Sequence, residues 1–180
     1  MEKWVCTICG YIYEGENSPK VCPVCKEPKN KFEIRSEKLR NLDKYRVGIA
    51  KYLDEDMVND LRENFTEECN EVGMYLAMSH IADAEGYSEI AETYKIIAYE
   101  EAEHAAKFAQ FLGEIVNTST KQNLKDRIEA EYGATDKKLK IARKAKELGL
   151  DMIYDTVQKM CKDEARHSKV FLELLNRYFE

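Results

Sequence analysis

Proline disappears from this chain after residue 28. All three prolines (Pro19, Pro23, Pro28) lie in the first 34 residues, together with the only tryptophan, Trp4. Nothing later in the chain breaks a helix by lacking an N–H. Glycine is also scarce, eight in 180 residues, which excludes a low-complexity or disordered chain. No apolar run approaches the roughly 20 residues of a membrane span. The opening Met1-Glu2-Lys3-Trp4-Val5-Cys6 lacks the hydrophobic stretch of a signal segment. Positive charge does not prevail: 28 Lys and Arg against 34 Asp and Glu give a net charge of −6. That balance argues against nucleic acid or an anionic membrane as the main partner. The expectation is a soluble, cytoplasmic protein, and 44% hydrophobic residues suffice for a core.

Six cysteines in such a chain do not suggest a disulfide framework. Four cluster as Cys6-x-x-Cys9 and Cys22-x-x-Cys25, whereas Cys69 and Cys161 stand alone. Two CxxC knuckles predict a closed tetrahedral four-thiolate site, for zinc or for a single iron. Trp4, Tyr11, Tyr13 and Phe32 are expected to pack around the sulfurs and limit water, which suits an electron-transfer iron. The alternative is a structural zinc ribbon.

From residue 55 onward the apolar pattern is helical. The second long helix carries Ile90, Tyr94, Ile97, Glu101, His104, Phe108, Phe111 and Ile115, in alternating steps of four and three. The fourth carries Ile153, Val157, Met160, Glu164, His167, Phe171, Leu174 and Tyr178 in the same steps. The first carries Val58, Leu61, Phe65, Glu68, Val72, Tyr75, Ser79 and Ala82, and a weaker stripe runs from Leu124 through Glu131 to Ala142. Breaks are expected at Gly86-Tyr87, at residues 117–120 and at Gly149-Leu150. An offset of 63 residues maps the second stripe onto the fourth. It also takes Glu68 to Glu131, Glu101 to Glu164, His104 to His167 and Gly86 to Gly149. The predicted architecture is mainly α, an antiparallel four-helix bundle made from a duplicated helix pair. The expected organisation is 1–35 as a small metal-binding domain, 36–54 as a connector, and 55–180 as the bundle. The connector carries an apolar thread of Leu39, Leu42, Tyr45, Val47, Ile49 and Leu53.

The helical stripes are interrupted by carboxylates and imidazoles at one level. Buried without partners, such groups are prohibitively costly, and metal cations resolve the cost. Glu101-x-x-His104 and Glu164-x-x-His167 each put two ligands one turn apart on one face. Glu68 and Glu131 add one carboxylate from each remaining helix. This is the ligand pattern of ferritin-like dinuclear carboxylate proteins, and its mixed oxygen and imidazole donors suit iron or manganese. Glu-rich helices also acquire such spacings on solvated faces, but not twice, in register, on apolar stripes. Glu71 is a seventh potential ligand whose repeat mate is Ala134; its alternative is a supporting or surface carboxylate. Tyr75 lies two turns after Glu68, placed either to hydrogen-bond a ligand carboxylate or to pack. Tyr99, Cys69 and Cys161 read as packing residues, Cys161 with a weaker redox alternative, and His80 as a surface residue.

Together, Trp4-x-Cys6-x2-Cys9-Gly10-Tyr11, Gly15, Pro19, Cys22-Pro23-x-Cys25, Pro28 and Phe32 resemble a short rubredoxin. Glu68, Glu101-x-x-His104, Glu131 and Glu164-x-x-His167 resemble the ligands of the ferritin-like rubrerythrin bundle. The order of the two parts is the reverse of the usual one, so the chain is similar to reverse rubrerythrins. The resemblance implies one iron on Cys6, Cys9, Cys22 and Cys25, and two irons on Glu68, Glu101, His104, Glu131, Glu164 and His167, to which the repeat adds Glu71 as a seventh ligand. It implies a peroxidase that reduces hydrogen peroxide, and in many members dioxygen, to water. Electrons would come from an external donor such as an NAD(P)H-dependent rubredoxin reductase. Glu101 and Glu164 would bridge the irons.

In the family a redox switch exchanges a carboxylate for a histidine on one iron. The extra Glu there sits where this chain has Ala134. The switch is therefore expected in mirror image, with Glu71 and His167 as the exchanging pair. A homodimer with electron transfer between chains is expected, because ligands in mid-helix lie roughly 20 Å from either end of a 28-residue helix. The rival functions are a ferroxidase or iron-handling protein, and a zinc-ribbon interaction module on a metal-stabilised bundle.

Overall fold

The computed structural model describes residues 2–35 and 46–180. The connector residues Leu39, Leu42 and Tyr45 lie outside the described residues. The chain divides into two compact units, Met1–Val116 and Asn117–Glu180.

The first unit opens with a small antiparallel sheet. Strand β1 (Glu2–Cys6) is central, flanked by β2 (Ile12–Gly15) and β3 (Phe32–Ile34). The register sets Trp4 opposite Tyr13 and Cys6 opposite Phe32, which delivers aromatic rings to the first knuckle. After the sheet, a 3-10 turn at Ile49–Tyr52 is the helical content that remains in the described part of the connector. Two long helices follow, α1 (Glu55–Ala84) and α2 (Ser88–Leu112). Asp54 caps α1 by accepting the Met57 N–H at 3.0 Å, and Glu55 and Asp56 complement the positive helix end.

The second unit is a helical hairpin of α3 (Thr120–Glu147) and α4 (Asp151–Phe179). Ser119 caps α3 through the Gln122 N–H. The duplication read from the sequence extends to the turns. Gly86 and Gly149 both take positive φ, +88° and +70°. In each hairpin the following residue closes the turn onto a buried alanine: Tyr87 N–H to Ala82 at 2.8 Å, Leu150 N–H to Ala145 at 2.9 Å.

The buried positions of each hairpin seam are mostly small residues, and the stripe of large ones is buried only in part. In α2 the buried positions include Ala91, Ala98, Ala105 and Leu112, a seven-residue repeat. At the turn end of this seam α1 buries Ser79 and Ala82, and the Ser79 hydroxyl donates to the Ala91 carbonyl at 2.8 Å. In α4 the repeat mates are Tyr154, Cys161, Ser168 and Leu175; the Cys161 thiol reaches the Thr135 carbonyl and the Ser168 hydroxyl donates to the Ile128 carbonyl of α3, whose buried Ala142 and Ala145 lie nearer the turn. Small residues let two helices approach closely, and they leave the stripe on the flank of each hairpin. Ile90, Ile153, Met160 and Tyr178 are accordingly exposed in their own units.

Two expectations need correction here. Ile115 is not part of the second helix: α2 stops at Leu112 because Gly113 adopts a left-handed cap, φ +64°. Tyr99, read as packing, is 70% exposed within its unit; it faces neither the seam nor α1.

Gly113 has a second reason to be glycine. An added Cβ would lie 2.5 Å from the Gly48 Cα and 2.8 Å from its nitrogen, so backbone meets backbone there. Gly48 N–H also donates to the Gln110 carbonyl at 2.8 Å. The connector is thereby fastened to the C-terminal end of α2.

Candidate metal centres

The cysteine knuckles are built by two similar turns. Cys6 N–H donates to the Tyr11 carbonyl and Gly10 N–H to the Cys6 carbonyl, both at 2.9 Å. In the second knuckle Lys26 N–H donates to the Cys22 carbonyl at 3.0 Å. The residue after each CxxC, Gly10 or Lys26, has positive φ, +81° or +62°. That conformation folds each knuckle back, so the Sγ atoms converge: Cys6 to Cys25 at 3.6 Å, Cys9 to Cys22 at 3.5 Å. Four sulfurs about 2.3 Å from one metal stand about 3.8 Å apart, so the pocket is shaped for a tetrahedral ion.

Burial among thiols pushes the Cys9 thiol far above its usual range. Burial acts the same way on Cys22, but backbone N–H groups of Cys25 and Val24 outweigh it and hold that thiol low. Trp4, Tyr11 and Tyr13 pack against the buried cluster of Cys6, Cys9, Cys22 and Phe32, as expected. Two contributions were not foreseen. Tyr52, from the 3-10 turn, packs on the same cluster. Arg46 donates from Nη1 to the Cys6 carbonyl at 2.7 Å. Both come from the connector, and a lone Arg or Tyr in a polar stretch gives no sequence signal.

Each hairpin gathers three ligand atoms at one level. In the first, Glu68, Glu101 and His104 come together; in the second, Glu131, Glu164 and His167. Both imidazoles turn Nδ1 inward. His104 Nδ1 is 2.8 Å from Glu101 and 3.4 Å from Glu68, and His167 Nδ1 is 3.3 Å from Glu131. The Glu68 and Glu101 carboxyls crowd each other, which raises the Glu68 pKa above the ordinary carboxylate range. Glu68 Oε2 is buried and accepts no hydrogen bond; His104, the nearest donor, is committed to Glu101. A buried carboxylate oxygen without a donor beside a second carboxylate and an inward imidazole is a cation site by its chemistry. These residues fit iron, and the four thiolates fit it equally well.

Glu71 is half-buried and stands outside the cluster of Glu68, Glu101 and His104. Its charge, with burial, raises the Tyr75 pKa. Tyr75 stacks on Tyr94 with centroids 6.0 Å apart, so packing accounts for it in the described structure. Cys161 is buried in the α4 seam, consistent with packing. Cys69 is exposed, contrary to the packing role expected of it, because it lies about 100° round α1 from Glu68. His80 is exposed, as expected.

Residues 4–33 match the family described as rubrerythrin, rubredoxin-like domain, and residues 59–175 match rubrerythrin itself. The chain belongs to the rubrerythrin family. Its rubredoxin-like domain comes first, as in reverse rubrerythrin-1 of Clostridium acetobutylicum, which is 55% identical over the whole of both chains. An uncharacterised protein of Methanocaldococcus jannaschii is 39% identical over 77% of this chain and 96% of its own. The rubrerythrin of Nitratidesulfovibrio vulgaris matches over 32 residues only, 18% of this chain and 17% of its own, at 50% identity. Membership in the rubrerythrin family carries the ferritin-like assignment of the helical part and makes the protein an oxidoreductase by class. Among the described residues no helix is long and apolar enough to cross a membrane.

The sequence missed two residues beside the second ligand set. Lys138 Nζ lies 3.0 Å from Glu164 Oε1, and Arg166 Nη2 lies 3.2 Å from His167 Nε2. Comparing repeat mates would have found them, since Lys138 stands where the first half has Tyr75, and Arg166 where it has Glu103.

Proposed function

We propose that this rubrerythrin-family protein is a peroxide reductase. One observation carries the reading: a single chain holds a four-thiolate pocket screened by aromatic rings and two Glu, Glu, His sets. A storage protein or ferroxidase has no use for the first, and a zinc-ribbon adaptor has no use for the second. The Glu68, Glu101, His104 and Glu131, Glu164, His167 sets would hold two irons of one dinuclear centre, with Glu101 and Glu164 bridging. Bound iron would supply the one-electron chemistry that splits the O–O bond.

The protein's own groups do the rest. Cys6, Cys9, Cys22 and Cys25 hold the entry point for electrons, and Trp4, Tyr11 and Tyr13 limit water there. His104 and His167 present Nδ1 to the same space as the carboxylate oxygens, and the proton that Nδ1 shares with Glu101 or Glu131 would give way to bound iron. The carboxyls carry protons to the departing oxygens. The net reaction takes one hydrogen peroxide, two protons and two electrons to two waters. The electrons come one at a time from an NAD(P)H-linked reductase acting on the cysteine site. Dioxygen is a second oxidant under this proposal.

Passage of electrons between chains of a homodimer is part of the proposal. A within-chain route is the second reading, favoured by the fastening of the connector to the end of α2. His104 lies eight residues before Leu112, about 12 Å along the helix, closer than a mid-helix placement implies.

The test is anaerobic oxidation of fully reduced protein by measured peroxide, followed optically at both centres. One peroxide per two electrons stored, without mineral formation, is the expected result. Oxidation of added ferrous ion into a retained mineral core, with the cysteine site idle, would favour the iron-handling rival.

Glu71 and His167 are proposed as the exchanging pair, with Glu71 preferred by the oxidised iron and His167 by the reduced one. The double change Glu71→Ala with Ala134→Glu should move the exchange to His104. Crystal structures of both redox states decide it. A wild-type protein in which Glu71 binds no metal in either state would overturn the switch.

A further inference from the structure

The two hairpins repeat their ligands but not the charges around them. Three positions differ, all in the same sense: Glu71, Tyr75 and Glu103 in the first half are Ala134, Lys138 and Arg166 in the second. The local charge of these three changes from two negative to two positive. Two of the second-half cations touch the ligand set. Lys138 pairs with Glu164 at 3.0 Å, both side chains mostly shielded, 30% and 19% exposed. Arg166 reaches His167 and also pairs with Asp163 at 3.1 Å. Lys138 projects two turns along α3 from Glu131, on the stripe that carries the ligands. In the same place the first half has a phenol stacked on Tyr94.

We infer that Lys138 is a positioning residue and resident counter-charge of the second ligand set, and that it imposes an order on metal loading. Before metal arrives, the ammonium holds Glu164 turned toward Glu131 and His167, doing for that carboxylate what a cation does. The first set has no ammonium or guanidinium in that place: its two carboxylates share only His104, which is bonded to Glu101, and the Glu68 oxygen is left without a donor. A divalent ion therefore enters the Glu68, Glu101, His104 set first. The second ion must enter beside a fixed positive charge, and it binds more weakly.

This inference rests on the proposal that the Glu and His sets bind metal, and its test separates the two. Ferrous ion is added anaerobically to the full-length protein whose cysteine site already holds iron, and binding is followed by calorimetry. The wild type should show two steps at least about tenfold apart in affinity, the scale of one charge acting over a few ångströms in a partly solvated site. Lys138→Met should tighten the weaker step by about tenfold or more and bring the two together. Lys138→Arg, which keeps the charge, should keep two separated steps. Lys138→Gln is measured alongside, so that misfolding of the Met variant, seen as lost helical circular dichroism, does not leave the question open. Two steps unchanged in Lys138→Met or Lys138→Gln would overturn the inference. So would loss of the weaker step, which would make Lys138 a structural support only. No ferrous binding at all in the wild type would instead overturn the underlying dinuclear reading.

Discussion

Replacing Cys9 with serine should abolish donor-driven peroxide turnover, a fall of roughly a hundredfold or more, while two metal ions per chain remain in the Glu and His sets. Losing even an indirect partner of a metal ligand costs 10- to 100-fold, and Cys9 is a direct one. Its Sγ lies 3.5 Å from that of Cys22 in the buried cluster, and a serine oxygen is a hard, shorter ligand in a soft site. The damage should stay local, because Cys9 belongs to a knuckle closed by its own turn and the helical ligand sets are built on other elements. The measurement is steady-state turnover with an NAD(P)H-linked donor, beside metal analysis. Full donor-driven activity in Cys9→Ser would remove the cysteine site from the electron path.

The reciprocal change is Glu101→Ala. Glu101 meets both Glu68 and His104, so its loss leaves the first hairpin one carboxylate and a ring no longer oriented. Metal in the dinuclear centre should fall from two ions per chain to one or none, and peroxide turnover should vanish. The four-thiolate absorption should be unchanged. Stability should move the other way. In metal-free protein Glu101 crowds Glu68 and raises its pKa, and alanine is the better helix former. Metal-stripped Glu101→Ala should therefore melt no lower than metal-stripped wild type. A clear drop in its melting temperature would show that the carboxylate supports the fold rather than the metal. Ligand sets built from like charges are held at a cost to the empty fold, the usual balance between function and stability.

The sequence made the chemistry legible because ligand chemistry is local. CxxC and Glu-x-x-His each fix two donors within one turn, and the 63-residue offset supplied the rest. Turn residues were legible for the same reason: Gly86 and Gly149 sit at the breaks that they were expected to make. What the pattern could not reveal was which face of each helix meets its neighbour. The large apolar stripe drew attention, yet the close contact runs along Ala91, Ala98 and Ala105, residues too small to register in an apolar count. Ile115 fitted the stripe numerically, but Gly113 ends the helix before it. Tyr52 and Arg46 were invisible because their partners, the Cys6 carbonyl among them, lie about 40 residues away in sequence. Lys138 carried no ligand pattern of its own, and only its mismatch with the repeat mate Tyr75 marks it in the sequence.

The small-residue seam acts as a ruler for the ligands. Ala91, Ala98, Ala105 and Leu112 recur every seven residues, the spacing that keeps one helix face against a partner. His104 directly precedes one of these marks, and Glu101 stands four residues before it. Sliding α2 against α1 by three residues would drive Tyr94, Glu101 and Phe108 into the seam, and sliding by four would drive in Lys95. Only a shift of a full seven, about 10 Å, brings small residues back into line, and the buried Ser79 hydroxyl on the Ala91 carbonyl stands against that. Allowed alignments are thus few and far apart, so the hairpin cannot drift by the ångström or two that would blur a metal site. Alanine, with no chemistry of its own, decides which carboxylate Glu101 meets.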